Sequence, residues 1–172
     1  MTSGDGAAAV LVGEGKPIAR LLGKATRTAD FVDHYRSLEN PYDYQWEERW
    51  IRDAGYMKIV PPVIARCLEQ AGVAAGDVTH FCMPVTLPRL ANTIAKAAGI
   101  ADAAVCDTLH AGLGDTGAAH ALVLLVSALE KAKPGERILL VGFGQGADAL
   151  LLEVTPEISK QPHRLGLAGH MK

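Results

Sequence analysis

A chain of 172 residues is long enough to bury a core of its own, and 49% hydrophobic residues with a mean hydropathy of +0.13 exclude a disordered protein. The formal net charge is only -2 and the lysines and arginines are scattered, which argues against nucleic-acid binding and against a basic patch for membranes. The longest apolar stretch, residues 118–129, is too short to span a membrane, and residues 1–5 lack the features of a signal peptide. We therefore expect a cytoplasmic protein without a membrane partner.

The first 56 residues predict two strands and a long connection. Residues 7–12 and 18–25 are short apolar runs separated by a glycine and proline turn, which is typical of a hairpin. Residues 26–56 hold most of the aromatic side chains, with a short helix expected over residues 44–53. This connection either packs its aromatics on the body of the protein or forms a flap over a substrate tunnel.

Helices then alternate with strands. This alternation predicts βαβ units and an α/β fold with a mainly parallel sheet, closed by two antiparallel strands at the end. The helix over residues 116–129 is apolar on nearly every face, which indicates a central helix buried on all sides. The other predicted elements are helices at 61–71, before Gly72, and at 87–98, before Gly99, and strands at 78–83, 103–107, 137–141 and 147–154.

The glycine-rich segment 142–146 follows a strand, as a dinucleotide-binding fingerprint would. That fingerprint requires a third glycine and a following helix, whereas residues 147–154 are a leucine-rich strand. We therefore interpret Gly144, Gln145 and Gly146 as a bend between two strands.

The three cysteines, Cys67, Cys82 and Cys106, are odd in number and have no CxxC spacing. This pattern argues against a disulfide framework and against a structural zinc site. Each cysteine falls in a helix or strand pattern and is predicted to be a small core residue.

Two segments resemble a known family. Residues 114–154 are similar to the end of the thiolase superfamily fold, as in 3-oxoacyl-(acyl-carrier-protein) synthase III and hydroxymethylglutaryl-CoA synthase-like enzymes, and residues 3–11 resemble the GDGA strand near the end of its first half. The resemblance implies a thiolase-like half-fold without the N-terminal half, which carries the nucleophilic cysteine in that family. The implied parts are terminal strands of the first half (1–25), the aromatic-rich connection (26–56), the C-terminal half (57–155), and a tail or the start of an extension (156–172).

The resemblance also places a site. The family histidine motif VPHQAN aligns with residues 83–88, so Val85 stands at the histidine position, and the asparagine motif aligns with residues 114–120, so Asp115 stands at the asparagine position. An ionised aspartate accepts hydrogen bonds but cannot donate one to an oxyanion. Both replacements remove donors that support condensation in the family.

Several candidates surround Asp115. The carboxylate either lines the site or caps the helix through the amides of Gly117 or Ala118, and these two roles are compatible. His110 lies in a loop at the end of the sheet where α/β active sites gather, and it is a candidate catalytic residue with Asp115. His120 is either a replacement imidazole or a hydrogen-bonded core histidine. The bend at Gly144, Gln145 and Gly146 either binds substrate through a backbone amide or is a simple hairpin turn.

Two classes of function follow from the resemblance. The chain is either the C-terminal portion of an acyltransferase that forms carbon–carbon bonds, or a catalytically weak subunit that binds acyl-CoA and docks a partner such as an OB-fold protein. The expected substrates are acyl-CoA or acyl-carrier-protein thioesters, with no separate cofactor and no metal. The expected protein partners are the missing thiolase N-terminal half and a second copy in a homodimer.

Overall fold

A computed structural model describes residues 3–35, 37–42, 44–161 and 166–171. In chain order the strands are β1 (Ala19–Thr28), β2 (His34–Tyr35), β3 (Tyr44–Gln45), β4 (His80–Cys82), β5 (Arg137–Gly144) and β6 (Gly146–Val154). The helices are α1 (Glu48–Trp50), α2 (Met57–Ala71), α3 (Leu90–Ala97), α4 (His110–Leu113), α5 (His120–Leu129) and α6 (Gly166–His170), with a π-helical turn over Ile51–Tyr56 between α1 and α2. None of the helices in the described ranges is long and apolar enough to cross a membrane.

The central sheet has four strands in the order β1-β6-β5-β4. β5 and β6 form the expected antiparallel pair, joined at Gln145, and β4 runs parallel to β5. The parallel side continues in a single bridge between Phe81 and Val105, where the predicted strand 103–107 is otherwise a short helical turn. The expectation of a mainly parallel sheet therefore applies to the β4 side, and the β6 side is antiparallel.

The predicted N-terminal hairpin is wrong. Residues 7–12 belong to no strand, although all six are described, and the side chain of Leu11 is 99% exposed. Residues 18–25 do fall mainly in β1, but β1 pairs with β6, from Ala19 opposite Val154 to Thr28 opposite Gly146. An alternating pattern identifies a strand without identifying its partner, and β6 offers β1 a longer edge than the six residues before the turn.

Helices cover both faces of the sheet. α2 and α3 pack on one face over a core that includes Ile64, Phe81 and Leu139. α5 packs on the other face against β4 and β5, over a second core with Leu124, Ile138 and Leu140. These two cores make the chain a three-layer α/β structure, and the thiolase-like fold class is confirmed.

The central helix is enclosed as predicted. The described residues 120–129 include none that is exposed, although the turn before them leaves Gly117 and Ala118 open to solvent. α6 packs against α5, and the amide of Leu167 donates to a carboxylate oxygen of Glu130 at 2.6 Å. Residues 162–165, which belong to the expected tail or extension, lie outside the described residues.

α2 ends where the sequence predicts, at a left-handed Gly72 with φ of +64°. It begins earlier than predicted, because the π-helical turn leads directly into it and leaves Pro61 and Pro62 inside the helix. Within that turn Gly55 lies against aromatic rings, and an added Cβ would be 2.6 Å from the ring of Phe31. The connection 26–56 contacts the body through Phe31, whose ring lies 5.8 Å from that of Phe143. Most of its other aromatics are exposed, namely Tyr35, Tyr42, Tyr44, Trp46 and Trp50, so packing on the body applies to only part of the connection.

Candidate functional site

Val85 lines a cleft of about 470 Å³. The lining comes from two segments, residues 85–92 after β4 and residues 105–110 after the Val105 bridge. Both segments follow parallel strands, so the cleft lies at the carboxyl end of the sheet, where α/β folds bind ligands. The Val85 side chain is 5% exposed and brings no hydrogen-bonding group to the position at which the family resemblance expects a histidine.

Backbone strain is concentrated at this cleft. Arg89 and Leu109 both have φ of +61°, and they are the non-glycine residues with positive φ among those described. Such conformations cost about 1–3 kcal/mol each and persist where the surroundings determine them. At Leu109, the amide donates to the carboxylate of Asp107 at 2.8 Å, which fixes the turn that presents His110.

His110 begins α4 and lines the cleft. Its Nδ1 is buried and has no hydrogen-bond partner among the described residues. Burial lowers the pKa of His110, and the nearby His120 lowers it further, against the opposing effects of Asp115 and Asp107. The imidazole is therefore neutral at pH 7, with a lone pair available to accept a proton or bind a ligand.

Asp115 is held by backbone contacts from two directions. Its carboxylate accepts the amide hydrogen of Gly117 at 2.9 Å, as the capping interpretation predicts. Its carbonyl accepts the amide hydrogen of Gly4 at 2.9 Å. A Cβ on Gly4 would lie 1.8 Å from the carbonyl oxygen of Leu113, so glycine is required for this approach.

His120 is the one buried polar or charged residue in the described core, with 0% exposure. Nε2 lies 2.7 Å from the carbonyl oxygen of Thr108, so Nε2 carries the hydrogen, and Nδ1 accepts from the amide of Thr116 at 3.2 Å. The expectation of a hydrogen-bonded core histidine is confirmed. The His120 ring also stacks on His110, with centroids 4.3 Å apart, and its Nδ1 is 3.8 Å from Oδ1 of Asp115.

The bend has the geometry of a tight turn. Gly146 has φ of +123°, and the carbonyl oxygen of Gln145 accepts the amide hydrogen of Ala29 at 3.2 Å. The bend follows β5 at the same end of the sheet as Val85. Its substrate-binding role stays a prediction, because the cleft is lined by other segments.

Tyr56 lies beside the bend, and the sequence analysis did not single it out as a site residue. Its ring stacks on Phe143, immediately before the bend, with centroids 4.0 Å apart. Burial raises the pKa of Tyr56 to about 12, and the negative charges of Asp33 and Asp115 add to this effect. The hydroxyl therefore stays protonated and is able to donate. Its place in a π-helical turn, a feature frequent at functional sites, is visible only in the structure.

The three cysteines differ in their surroundings. Cys67 and Cys82 are buried as predicted, whereas Cys106 is only partly buried and lines the cleft. A hydrogen bond from Cys82 lowers the pKa of Cys106, and His80 contributes in the same direction. The same hydrogen bond, together with burial, raises the pKa of Cys82.

The structure thus brings together most of the predicted site. Val85 and His110 share the cleft, and Asp115 adjoins His110. The bend at residues 144–146 does not line the cleft, and Phe143 before it stacks on Tyr56. Val85 offers no hydrogen-bonding group and the Asp115 carboxylate is an acceptor, so the donors that the family resemblance expects at these two positions are missing.

Comparison with known proteins defines the class. Residues 68–153 match the family model described as 3-oxoacyl-(acyl-carrier-protein) synthase III C terminal. Because this match covers half of the chain, the protein belongs to that family. Its relatives and structural neighbours are thiolase-like condensing enzymes.

Two curated relatives are hydroxymethylglutaryl-CoA synthases. The enzyme of Aeropyrum pernix is 30% identical over 163 residues, which cover 92% of this chain and 45% of the relative. That of Methanopyrus kandleri is 26% identical over 162 residues, with 92% and 46% covered. The chain spans about half the length of the curated relatives it matches.

The fold has a matching solved structure. 3-Oxoacyl-(acyl-carrier-protein) synthase III from Aquifex aeolicus superposes with a TM-score of 0.69 at 20% identity, covering 81% of this chain and 46% of that chain. At this identity the likeness shows the fold, and the α/β layers described above are those of its C-terminal part.

Proposed function

We propose that the chain is the C-terminal portion of a thiolase-like acyltransferase that acts on acyl-CoA or acyl-carrier-protein thioesters. The observation that carries the proposal is the cleft at the carboxyl end of the sheet, where Val85 and His110 meet in a chain of this family. Both curated relatives named above are hydroxymethylglutaryl-CoA synthases, and the CoA thioester in that name supports a CoA thioester as the substrate.

The proposed chemistry is carbon–carbon bond formation with an altered set of catalytic groups. Neutral His110 accepts a proton from the α-carbon of the thioester, and the protonated hydroxyl of Tyr56 donates toward the developing oxyanion. Asp115 orients these groups from its capped position. The backbone amide of Gln145 is the further proposed donor.

The acyl-accepting cysteine is proposed to come from a thiolase N-terminal half. Cys67 and Cys82 are buried, and Cys106 is partly buried. None of the three is an exposed cysteine. A homodimer in the cytoplasm is the proposed setting.

A second candidate function is a catalytically weak subunit that binds acyl-CoA and docks a partner such as an OB-fold protein. The observation that favours it is the loss of side-chain donors: Val85 has none, and the Asp115 carboxylate is engaged with Gly117. Such a subunit would bind the thioester without turning it over.

Asp115→Asn tests the site, because asparagine keeps the cap while it restores a donor. We expect the thermal stability to stay unchanged. The affinity for acyl-CoA should change at least several-fold, or the thioester turnover should do so when the N-terminal half is supplied. Asp115→Ala should lower stability by roughly 1 kcal/mol through loss of the cap. Asp148→Asn is the matched control, since this exposed carboxylate binds Thr26 on the β1–β6 side of the sheet.

Titration of each variant with acyl-CoA, beside a thermal melt, separates the outcomes. An affinity unchanged in Asp115→Asn would remove Asp115 from the site. A changed affinity without turnover in the reconstituted enzyme would favour the binding subunit over the acyltransferase.

A further inference from the structure

Three potential metal ligands converge beside the cleft. His110, Asp115 and His120 each offer one ligand atom, and these atoms lie within 4.8 Å of one another. Two imidazoles and a carboxylate are a common ligand set for zinc and related divalent ions. The residues come from α4, the loop after it and the start of α5, so local backbone structure holds all three.

His120 has the orientation of a metal ligand. Its Nε2 hydrogen bonds to the Thr108 carbonyl at 2.7 Å, and metal-binding histidines commonly donate their second nitrogen to a carbonyl or carboxylate. This bond leaves Nδ1 as the lone-pair nitrogen, on the side that faces Asp115. Zinc ligands at bond lengths near 2.1 Å are about 3.4 Å apart on a tetrahedron, so the present 3.8 Å between Nδ1 and Oδ1 needs only a small movement.

His110 supplies an otherwise unexplained atom. Its Nδ1 is buried without a partner among the described residues, and an unsatisfied buried polar atom is unfavourable. A bound cation would satisfy it. The structure therefore leaves a ligand nitrogen of His110 available close to His120 and Asp115.

We propose that His110, Asp115 and His120 bind a divalent transition-metal ion of the zinc class, with a fourth position open toward the cleft. The binding site stands on these residues alone, and its role with a thioester rests on the proposed function. Three protein ligands with one open position are the arrangement of catalytic rather than structural zinc sites. In the metal-bound form His110 would be a ligand and would not act as the base proposed above. The ion would then polarise the thioester carbonyl at its open position, where the side chains of Val85 and Asp115 offer no donor.

Metal binding would have to change two contacts of the present structure, the stacking of His110 on His120 and the contact of His120 with Thr116. The rings of His110 and His120 are stacked with an interplanar angle of 10°, so their lone pairs run side by side, and one ring must turn to share an ion. The His110 ring is the one that turns, because the two nitrogens of His120 already point toward Thr108 and Thr116. The ion also replaces both contacts that Nδ1 of His120 makes with Thr116, the amide at 3.2 Å and the hydroxyl oxygen at 3.1 Å.

The test is titration of the chelator-treated chain with Co²⁺, followed by visible absorption, and with Zn²⁺, followed by calorimetry. We expect one ion per chain and tetrahedral cobalt bands. His110→Ala and Asp115→Asn should weaken binding at least tenfold, and both leave the buried His120 in place. His34→Ala is the matched control, because His34 is an exposed histidine paired with Asp33 at 2.6 Å, and its loss should change nothing.

Three results would overturn the inference: no cobalt bands, binding by His110→Ala and Asp115→Asn as tight as in the unchanged chain, or a sulfur-to-cobalt charge-transfer band that assigns the ion to cysteines. Acyl-CoA titration with and without metal separates this inference from the proposed function. Acyl-CoA binding by a chain that takes up no metal overturns the metal site alone. Metal binding without acyl-CoA binding supports the metal site and contradicts the thioester proposal.

Discussion

Gly146 begins β6 with φ of +123°, and replacing it with alanine tests the packing of the bend directly. A Cβ at this position would lie 2.0 Å from the carbonyl oxygen of Arg27 and 2.9 Å from Cα of Thr28. Both atoms belong to β1, whose last residue, Thr28, pairs with Gly146. The side chain cannot be accommodated unless the end of this strand pair opens.

The expected loss combines two effects. An unfavourable backbone conformation costs about 1–3 kcal/mol, and one lost ladder hydrogen bond adds about 1 kcal/mol. Gly146→Ala should therefore lower the free energy of unfolding by about 2–4 kcal/mol. For a chain of this size that corresponds to a fall in Tm of roughly 4–16 °C.

Gly144→Ala is the matched control on the other side of Gln145. Its added Cβ meets no atom within 4 Å, and its φ is not in the positive region. Thermal unfolding followed by circular dichroism should leave this variant within about 0.5 kcal/mol of the unchanged protein, as for ordinary surface substitutions. Equal stability of the two variants would refute the argument from the bend.

The remaining predictions concern titration and thiol chemistry. Because the pKa of His110 is lowered on folding, the unfolded chain binds the proton more tightly, and stability present above about pH 6.5 should fall as the pH drops below it. In urea unfolding, His110→Gln should flatten the pH dependence of the free energy of unfolding between pH 7 and 5, and an unchanged pH dependence in this variant would contradict the prediction. The titratable groups that face the ring are Asp107, Asp115 and His120. Iodoacetamide at pH 7 should modify Cys106 before Cys67, since a hydrogen bond lowers the pKa of Cys106 and burial raises that of Cys67; peptide mapping that finds Cys67 first would reverse the assignment. Incubation with acetyl-CoA should leave all three cysteines unacylated by mass spectrometry, and stoichiometric acylation of any of them would overturn the need for an outside nucleophile.

Local signals explain which elements could be predicted. The apolar runs on each side of Gln145 give β5 and β6, and Gly72 ends α2, because turn and cap residues act on their immediate neighbours. The partner of β1 could not be predicted in this way. Its contact with β6 joins residues more than 100 positions apart, and an alternating pattern carries no information about such a distance.

The same difference between local and long-range signals applies to the candidate site. The cap from Asp115 to Gly117 and the buried state of His120 follow from nearby sequence. The unpartnered nitrogen of His110 and the stacking of Tyr56 on Phe143 depend on tertiary packing. No local sequence pattern predicts these two features, although they contribute to the chemistry of the site.

The close approach of Gly4 to the loop around Asp115 links two segments that are more than 100 residues apart in sequence. A chimaera that takes the Asp115 loop from a relative but keeps the first residues of this chain would combine two segments from different proteins at a contact that requires close steric complementarity. Exchange of the loop therefore requires exchange of the Gly4 segment with it.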